Sequence, residues 1–346
     1  MDLKKTDTEV FNKLREALLS ISARIAIVPH VNPDGDAIGS AVGLANLLVN
    51  KGHRAVVISP NSYPAYYNWL KNKAEIVFAD KHRKKAEKAL EESDVLICVD
   101  FNDIGRAGKL QKSIEQFAGI TILIDHHPGP ENFCDLMVSA PEYSSTAELI
   151  YDTIIRLGYK TFIDQPVAEC LFTGIMTDTG SFSHNISRPN TFKVVSQLLT
   201  FGINPDKIQA EVYHNFSAGR MRLLGYCLNE KMEVFPRYRA ALISITKDEL
   251  KKYNFVPGDA EGFVNYPLSI SGIVFSALFI EKEGYVKVSF RSKGSFPANR
   301  FSAKHFNGGG HLNASGGEIK TSLEKAVALF RQLLPDYLHL LENAES

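Results

Sequence analysis

Acidic and imidazole side chains follow three apolar segments in the first half of the chain. The segments, at 25–29, 94–99 and 120–124, are short and rich in β-branched residues. This composition is typical of strands that are buried on both faces of a parallel sheet. Ligands of such sheets collect beyond the carboxyl ends of the strands. We therefore expect one sheet edge to gather His30, Asp34, Asp36, Asp100, Asp125, His126 and His127.

These side chains, with Asp178 at the end of a predicted helix, have the composition of a metal site. Carboxylate-rich sites with a few imidazoles suit Mn²⁺ or Mg²⁺, whereas thiolates would favour zinc. The set holds more ligands than one ion needs, so we expect two ions that share a bridging aspartate. Paired ions about 3.5–4 Å apart promote in-line displacement at phosphorus, with a bridging water as the nucleophile. The pattern thus predicts hydrolysis of a phosphate ester.

Some of these residues also admit a structural interpretation. Asp36 precedes a predicted helix, and aspartate is a common N-cap that needs no metal. The adjacent His126 and His127 lie on an extended segment, where successive side chains point in opposite directions. We therefore assign one histidine to a metal and the other to the phosphate, as a donor or as an acid toward the leaving oxygen. Arg106 could reach the same edge, but we expect it near the start of a surface helix.

Length, charge and cysteine content narrow the class of protein. The chain has 346 residues, which favours two domains, and its 39 Lys and Arg balance 39 Asp and Glu. This balance leaves no overall field to hold a long duplex nucleic acid. The four cysteines are far apart and form no paired motif, so neither a disulfide framework nor a zinc ribbon is indicated. Without an apolar signal core or a membrane-spanning stretch, we expect a soluble, cytoplasmic protein that binds no membrane.

Strand and helix signals alternate up to about residue 200, which predicts an α/β domain with a doubly wound, mainly parallel sheet. Helices are expected at 36–50, 81–92, 145–157 and 165–177. Ser145 and Glu148 form a capping box at the start of the third of these helices. The whole domain is assigned to residues 1–203.

The pattern changes in the rest of the chain. A helical connector is expected over 204–232, and its helices could support a homodimer. Strands then dominate, with a last helix over 323–341, so residues 233–346 are assigned to a smaller, mixed α+β domain. The strands are expected at 240–246, 272–280 and 285–290.

A glycine-rich segment around His311 is the sharpest feature of the second domain. Five glycines surround this histidine between 307 and 317, and a glycine-rich turn exposes backbone N–H groups to an anion. Residues 284–317 contain no acidic side chain but several basic ones, including Arg291 at a predicted strand end. An arginine there suits a bidentate phosphate clamp. A local positive region in a neutral protein predicts a short, charged ligand.

Four motifs resemble those of the DHH phosphoesterases, and of the DHH–DHHA1 branch that includes nanoRNase/pAp phosphatases in particular. They are HVNPDGDAIGS at 30–40, DHH at 125–127, TGIMTDTGSF at 173–182 and GGGH at 308–311. The similarity spans about residues 24–320. It implies a DHH domain joined to a DHHA1 domain, with the active site in the cleft between the domains.

The resemblance also implies roles for individual residues. One Mn²⁺ would be held by His30, Asp34 and Asp100, and Mg²⁺ is the alternative ion. The other would be held by Asp36, Asp100, His126 and Asp178, with Asp100 bridging and Asp125 in support. His127 would contact the scissile phosphate. The substrate's other phosphate or terminal nucleotide would be bound by Arg291, Gly308, Gly309, Gly310 and His311.

The implied activity is that of a Mn²⁺-dependent phosphoesterase. It would hydrolyse very short RNA oligonucleotides to mononucleotides and could convert 3′-phosphoadenosine 5′-phosphate (pAp) to AMP, by two-metal activation of a bridging water. One alternative is a phosphodiesterase for cyclic dinucleotides or their linear products. Another, of a different class, is an inactive nucleotide-binding regulatory protein. That alternative predicts a missing metal ligand, and all six expected ligand residues are present.

Overall fold

The structure is a computed structural model that describes residues 5–18 and 22–344. The chain divides into two compact units, Met1–Asn215 and Phe216–Ser346. The residues of the expected connector, 204–232, are divided between these units. Each unit is described by itself below.

The first unit contains a six-stranded parallel sheet with the strand order β3-β2-β1-β4-β5-β6. The prediction of a doubly wound parallel sheet is confirmed. The short strands β3 and β6 were not expected, because four residues carry little periodicity. The strands are β1 (Arg24–Pro29), β2 (Arg54–Ser59), β3 (Glu75–Phe78), β4 (Val95–Val99), β5 (Ile120–Asp125) and β6 (Leu136–Ser139).

Helices cover both faces of this sheet, because alternate strand residues enter two different apolar cores. Ile25 and Ile27 pack with α1, α2, α5 and α6, whereas Ala26 and Val28 pack with α3 and α4. The helices are α1 (Lys5–Ala17), α2 (Gly35–Asn50), α3 (Arg83–Glu91), α4 (Gln111–Glu115), α5 (Thr146–Leu157), α6 (Gln165–Asp178), α7 (Pro189–Leu199) and α8 (Pro205–Tyr213).

Glycines let α2 and α6 approach until their main chains touch. A Cβ atom added at Gly39 would lie 2.5 Å from the carbonyl oxygen of Cys170 and 2.8 Å from the amide nitrogen of Gly174. One added at Gly174 would lie 2.8 Å from Oδ1 of Asp36. This contact brings the start of α2 close to the end of α6, which is Asp178.

The second unit is a smaller, mixed α+β unit, as predicted. Its sheet has the order β11-β12-β10-β9-β8-β7, in which β8 and β9 are parallel and the other neighbours are antiparallel. The strands are β7 (Met232–Phe235), β8 (Ala240–Ile245), β9 (Phe275–Lys282), β10 (Tyr285–Ser292), β11 (Gly309–His311) and β12 (Ala314–Ile319).

The helices of this unit pack around a phenylalanine-rich core that includes Phe275, Phe290 and Phe330. The expected helix over 323–341 is interrupted at Pro335, since proline cannot donate an amide hydrogen bond within a helix. The helices are α9 (Ala218–Tyr226), α10 (Lys247–Lys252), α11 (Ala298–His305), α12 (Leu323–Leu333) and α13 (Leu338–Glu342). Over residues 5–18 and 22–344, no helix is both long enough and apolar enough to cross a bilayer.

Candidate metal centre

The candidate centre lies at the carboxyl ends of the central strands of the parallel sheet. The strand order reverses between β1 and β4, and such a switch point is where open α/β sheets bind ligands. His30 follows β1, Asp100 follows β4, and β5 ends at Asp125. The structure therefore brings together side chains from these three segments and from the end of α6, and they form two groups that Asp100 contacts with different oxygens.

The first group consists of His30, Asp34 and Asp100. Nε2 of His30 lies 3.8 Å from Oδ2 of Asp34 and 3.5 Å from Oδ2 of Asp100. Nδ1 of His30 lies 2.8 Å from the carbonyl oxygen of Val31, which can only accept, so Nδ1 carries the proton and Nε2 a lone pair. A backbone partner of this kind orients a metal-ligating imidazole.

Asp34, rather than Asp36, is the N-cap of α2. Its Oδ1 accepts hydrogen bonds from the amides of Asp36 and Ala37, each at 3.1 Å. The structural alternative for Asp36 is therefore wrong. Asp34 thus caps the helix with one oxygen, while its other oxygen faces His30.

The second group consists of Asp36, His126 and Asp178. Nε2 of His126 lies 3.9 Å from Oδ2 of Asp36 and 3.5 Å from Oδ2 of Asp178. Nδ1 of His126 faces the carbonyl oxygen of Tyr143 at 3.1 Å, so this imidazole also presents Nε2 to the carboxylates.

Asp100 faces both groups with different oxygens. Oδ2 lies 3.5 Å from Nε2 of His30, and Oδ1 lies 3.8 Å from Nε2 of His126. Burial alone would raise the pKa of Asp100, but His30, His127 and His126 outweigh it, and the pKa is lowered. The residue has a φ of +66°, a left-handed conformation that aspartate tolerates better than most side chains. The main chain leaves β4 in this conformation.

The residues of both groups fit divalent cations. Their nitrogen–oxygen separations of 3.5–3.9 Å exceed a hydrogen bond. Ligands at ~2.1 Å from an ion lie roughly 3–4 Å from one another. Burial raises the pKa of Asp36, and the charges of Asp100 and Asp178 raise it further, a repulsion that a cation would relieve. Among the described residues, buried Oδ2 of Asp125 also has no hydrogen-bond partner.

His127 is held between an acidic and a basic residue. Its Nδ1 lies 2.7 Å from Oδ1 of Asp125, and Nη1 of Arg106 lies 3.0 Å from its Nε2. A guanidinium only donates, so Nε2 accepts and Nδ1–H donates to Asp125. Burial lowers the pKa of His127, with a contribution from Arg106. The imidazole is therefore neutral at pH 7.

Two expectations about this segment were wrong. His126 and His127 do not face away from each other, since both approach Oδ1 of Asp100, at 3.8 and 3.7 Å. β5 ends at Asp125, so the alternation of a strand no longer applies beyond it. Arg106 contacts His127 instead of only starting a surface helix, and its carbonyl accepts from the amide of Val31 at 2.7 Å. The sequence carries no local signal of this contact.

The start of α5 contacts the carboxylates, which the sequence did not indicate. The amides of Thr146 and Ala147 donate to Oδ2 and Oδ1 of Asp36, at 2.7 and 2.9 Å. The capping box differs in its second half. Ser145 accepts from the amide of Glu148 as expected, but Glu148 accepts from Ser144 instead of Ser145.

Two of the expected phosphate-binding residues of the second unit, Arg291 and His311, lie on the two strands that flank β12. Ala314 of β12 pairs with Arg291 of β10 on one side and with His311 of β11 on the other. Directly paired residues project from the same face, so Arg291 and His311 share a face roughly 10 Å apart.

The glycines before His311 form an edge strand instead of the expected open turn. A Cβ atom at Gly308 would overlap the carbonyl oxygen of Gly316 and Oγ of Ser302. Gly310 has a φ of +135° and abuts Ala314 of β12, whereas Gly309 has open space beside it. Packing against β12 therefore requires glycine at 308 and 310. Gly309 remains open to a ligand.

Binding of Mn²⁺ is expected to release protons and to strengthen as the pH rises. The pKa of Asp36 is raised by burial and by neighbouring carboxylates, so a cation that binds Asp36 competes with a proton at higher pH than at an ordinary carboxyl group. Affinity should therefore continue to increase with pH above the range in which an ordinary aspartate titrates. Calorimetric titration in buffers of different ionisation enthalpy measures the affinity and the number of protons released. If the affinity did not change with pH there, Asp36 would not be a cation ligand with a raised pKa.

Family models and known proteins match both units. The DHH family, N-terminal domain, matches residues 24–175, and the DHHA1 domain matches residues 241–338. A solved structure, described as an exopolyphosphatase-related protein from Bacteroides fragilis, is 42% identical in sequence. It covers 99% of this chain and 100% of its own, with a TM-score of 0.92.

Several curated relatives carry names that state an activity, and two of them illustrate the range. The bifunctional oligoribonuclease and PAP phosphatase NrnA of Thermus thermophilus is 29% identical over 92% of this chain and 92% of its own. The cyclic-di-AMP phosphodiesterase PdeA of Listeria monocytogenes is 25% identical over 90% of this chain, but the match covers only 47% of that protein.

Proposed function

Because the chain belongs to the DHH family and carries a DHHA1 domain, it is a metal-dependent phosphoesterase, and we propose that its substrates are very short RNA oligonucleotides and pAp. The products would be mononucleotides and AMP, and the metal would be Mn²⁺. The observation that carries the proposal is the pair of acidic and imidazole groups between which Asp100 lies, 3.5 Å from His30 and 3.8 Å from His126. The substrate class is supported by the similarity to NrnA over nearly the whole of both chains.

The six ligand residues would place two cations next to the scissile phosphate. Bound there, divalent cations supply an activated water and neutralise charge on the phosphate. The residues involved are His30, Asp34, Asp36, Asp100, His126 and Asp178.

His127 and Arg106 would contact the scissile phosphate. Asp125 orients the imidazole through Nδ1, and Arg106 supplies a fixed positive charge at Nε2. A phosphate oxygen is a stronger acceptor for a guanidinium than a neutral imidazole is. We expect the substrate to take over the Arg106 hydrogen bond and to lie against His127.

The second unit would bind the other end of a short substrate. Arg291 and His311 project from one face of the sheet, and Gly309 leaves the main chain beside them accessible. A guanidinium and an imidazole at this spacing suit a phosphate or a terminal nucleotide. Since this is a single local contact, longer RNA gains little additional affinity.

The proposal is tested by comparing substrates under Mn²⁺. The series contains RNA oligonucleotides that lengthen by one nucleotide from the dinucleotide, pAp, a cyclic dinucleotide and short polyphosphate. We expect the highest kcat/KM for the shortest RNAs and for pAp. A preference for the cyclic dinucleotide would favour a PdeA-like activity, and a preference for polyphosphate would follow the name of the Bacteroides relative. Turnover of none of these, with Mn²⁺ bound, would refute the assignment as an enzyme.

Arg291→Ala is expected to raise the KM for pAp by about 10-fold or more with little change in kcat. A charge-assisted hydrogen bond contributes about 1.5–3 kcal/mol, and this one lies away from the reacting atoms. Steady-state kinetics with pAp measure the effect. Arg237→Ala removes an equal charge from the exposed turn Pro236–Tyr238 and serves as the control. A collapse of kcat at unchanged KM would show that Arg291 has another role.

A further inference from the structure

We propose that Thr146 is a positioning residue that holds the shared ligand Asp100 and the ligand Asp36 in their metal-binding orientations. It is the first residue of α5, and its side chain is buried. The inference rests on the proposed function in that it takes Asp36 and Asp100 as ligands of the cations.

Thr146 contacts both carboxylates at once. Its Oγ1 donates to Oδ1 of Asp100 at 2.8 Å, and its amide donates to Oδ2 of Asp36 at 2.7 Å. The amide of Ala147 donates to the other oxygen of Asp36 at 2.9 Å. An ionised carboxylate only accepts, so the hydroxyl must be the donor to Asp100. The first turn of α5 thus fixes three of the four oxygens.

These hydrogen bonds leave room for a cation on the same oxygens. Each carboxylate oxygen can accept more than one interaction, so Oδ1 of Asp100 can accept from Thr146 and still face His126. Without the hydroxyl, this oxygen would be less constrained, because Asp100 lies just beyond the end of β4 in a left-handed conformation. The hydroxyl therefore helps to keep Oδ1 of Asp100 toward His126 and Oδ2 toward His30.

Thr146 is itself fixed by a buried acidic residue on the same helical turn. The carboxylate of Glu148 accepts from the amide and hydroxyl of Ser144, at 3.0 and 2.6 Å. It also accepts from Oγ1 of Thr191 at 3.0 Å and from Nδ2 of Asn190 at 2.8 Å. The start of α5 is therefore held by protein contacts, and the carboxylates meet donors that are already in place. Such outer contacts raise metal affinity by restricting the ligands before binding.

Thr146→Val isolates the hydroxyl, since valine has nearly the same shape and keeps the amide that donates to Asp36. Partners of metal ligands typically contribute 10–100-fold to affinity, and we expect Mn²⁺ to bind about 10-fold more weakly or worse. Both binding steps should be affected because Asp100 faces both groups. Calorimetric titration of the full-length protein with Mn²⁺ in the absence of substrate measures the affinity and the stoichiometry.

Thr153→Val is the matched control. This threonine is also buried on α5, and its hydroxyl donates to the carbonyl oxygen of Leu149 at 2.8 Å, away from the carboxylates. It should bind Mn²⁺ like the wild type. Thr146→Ser keeps the hydroxyl and should restore most of the affinity. Circular dichroism of the metal-free variants checks folding, and Thr146→Ala replaces the valine variant if that does not fold.

The outcomes separate this inference from the proposed function. Wild-type protein that binds no Mn²⁺ would refute the metal centre itself. Wild-type protein that binds two ions, with unchanged affinity in folded Thr146→Val, would overturn only the role of Thr146. A serine variant as weak as the valine variant would also overturn it, since the hydroxyl would then not be the cause.

Discussion

Asp100→Asn is expected to lower kcat/KM by ~1000-fold or more and to weaken the binding of both cations. Asparagine has the same shape and tolerates the φ of +66° found here, so the main chain should be retained. The carboxamide carries no charge, and its NH₂ group replaces one of the two oxygens that face His30 and His126. One of the two groups must then lose the anionic Asp100 oxygen that faces it. Kinetics with pAp at saturating Mn²⁺ give the loss of activity.

Asp103→Asn provides the control for this substitution. Asp103 lies three residues beyond Asp100, is exposed, and caps a short helix by accepting from the amide of Gly105 at 2.6 Å. Its variant should retain nearly all activity. If Asp100→Asn kept more than a few percent of wild-type activity with two ions bound, Asp100 would not be the shared ligand.

Removal of metal is expected to abolish activity, and Mn²⁺ should restore more of it than Mg²⁺. Each ligand group contains one imidazole nitrogen, from His30 or His126. Imidazole nitrogen suits first-row transition ions, whereas Mg²⁺ prefers an all-oxygen environment. Protein dialysed against a chelator and then titrated with either ion gives the two restoration curves. Curves that coincide would contradict the expected preference.

Thermal unfolding separates metal binding from catalysis in the same experiment. An ion that binds the folded protein raises the unfolding midpoint according to its affinity and concentration. Mn²⁺ should therefore raise the midpoint more than Mg²⁺ at equal concentration. In Asp100→Asn the increase with either ion should be smaller than in the wild type, because the carboxylate that faces both groups has lost its charge.

The sequence was sufficient to predict the convergence of the ligands, for a simple geometric reason. Buried parallel strands run in one direction, so residues that follow them must reach the same edge. His30, Asp100 and Asp125 each lie at such a point, and the structure places them together. No long-range information was needed for this part of the site.

Contacts that depend on how helices dock could not be predicted in this way. Thr146 and Asp36 are 110 positions apart, and their hydrogen bond depends on the packing of α5 beside α2. Arg106 meets His127 only because a turn after β4 reaches the loop after β5. Neither pair has a characteristic spacing in the sequence.

Local sequence patterns that are compatible with two different structures could not be resolved from the sequence either. Asp34 and Asp36 are both plausible N-caps by residue type, and the loop geometry selects Asp34. Glycine permits both turns and close-packed strands, and the segment before His311 becomes a strand because β12 lies against it.

The glycine contact between α2 and α6 fixes the distance between the two helices that carry Asp36 and Asp178. Asp36 and Asp178 lie on helices whose approach is limited by main-chain atoms at Gly39 and Gly174, where no side chain can shrink or rotate. Exchanging one of these acidic residues would change the charge of the site but would leave the distance between the helices the same. The separation of these two helices is thereby set by main-chain contact and not by the carboxylates that they carry.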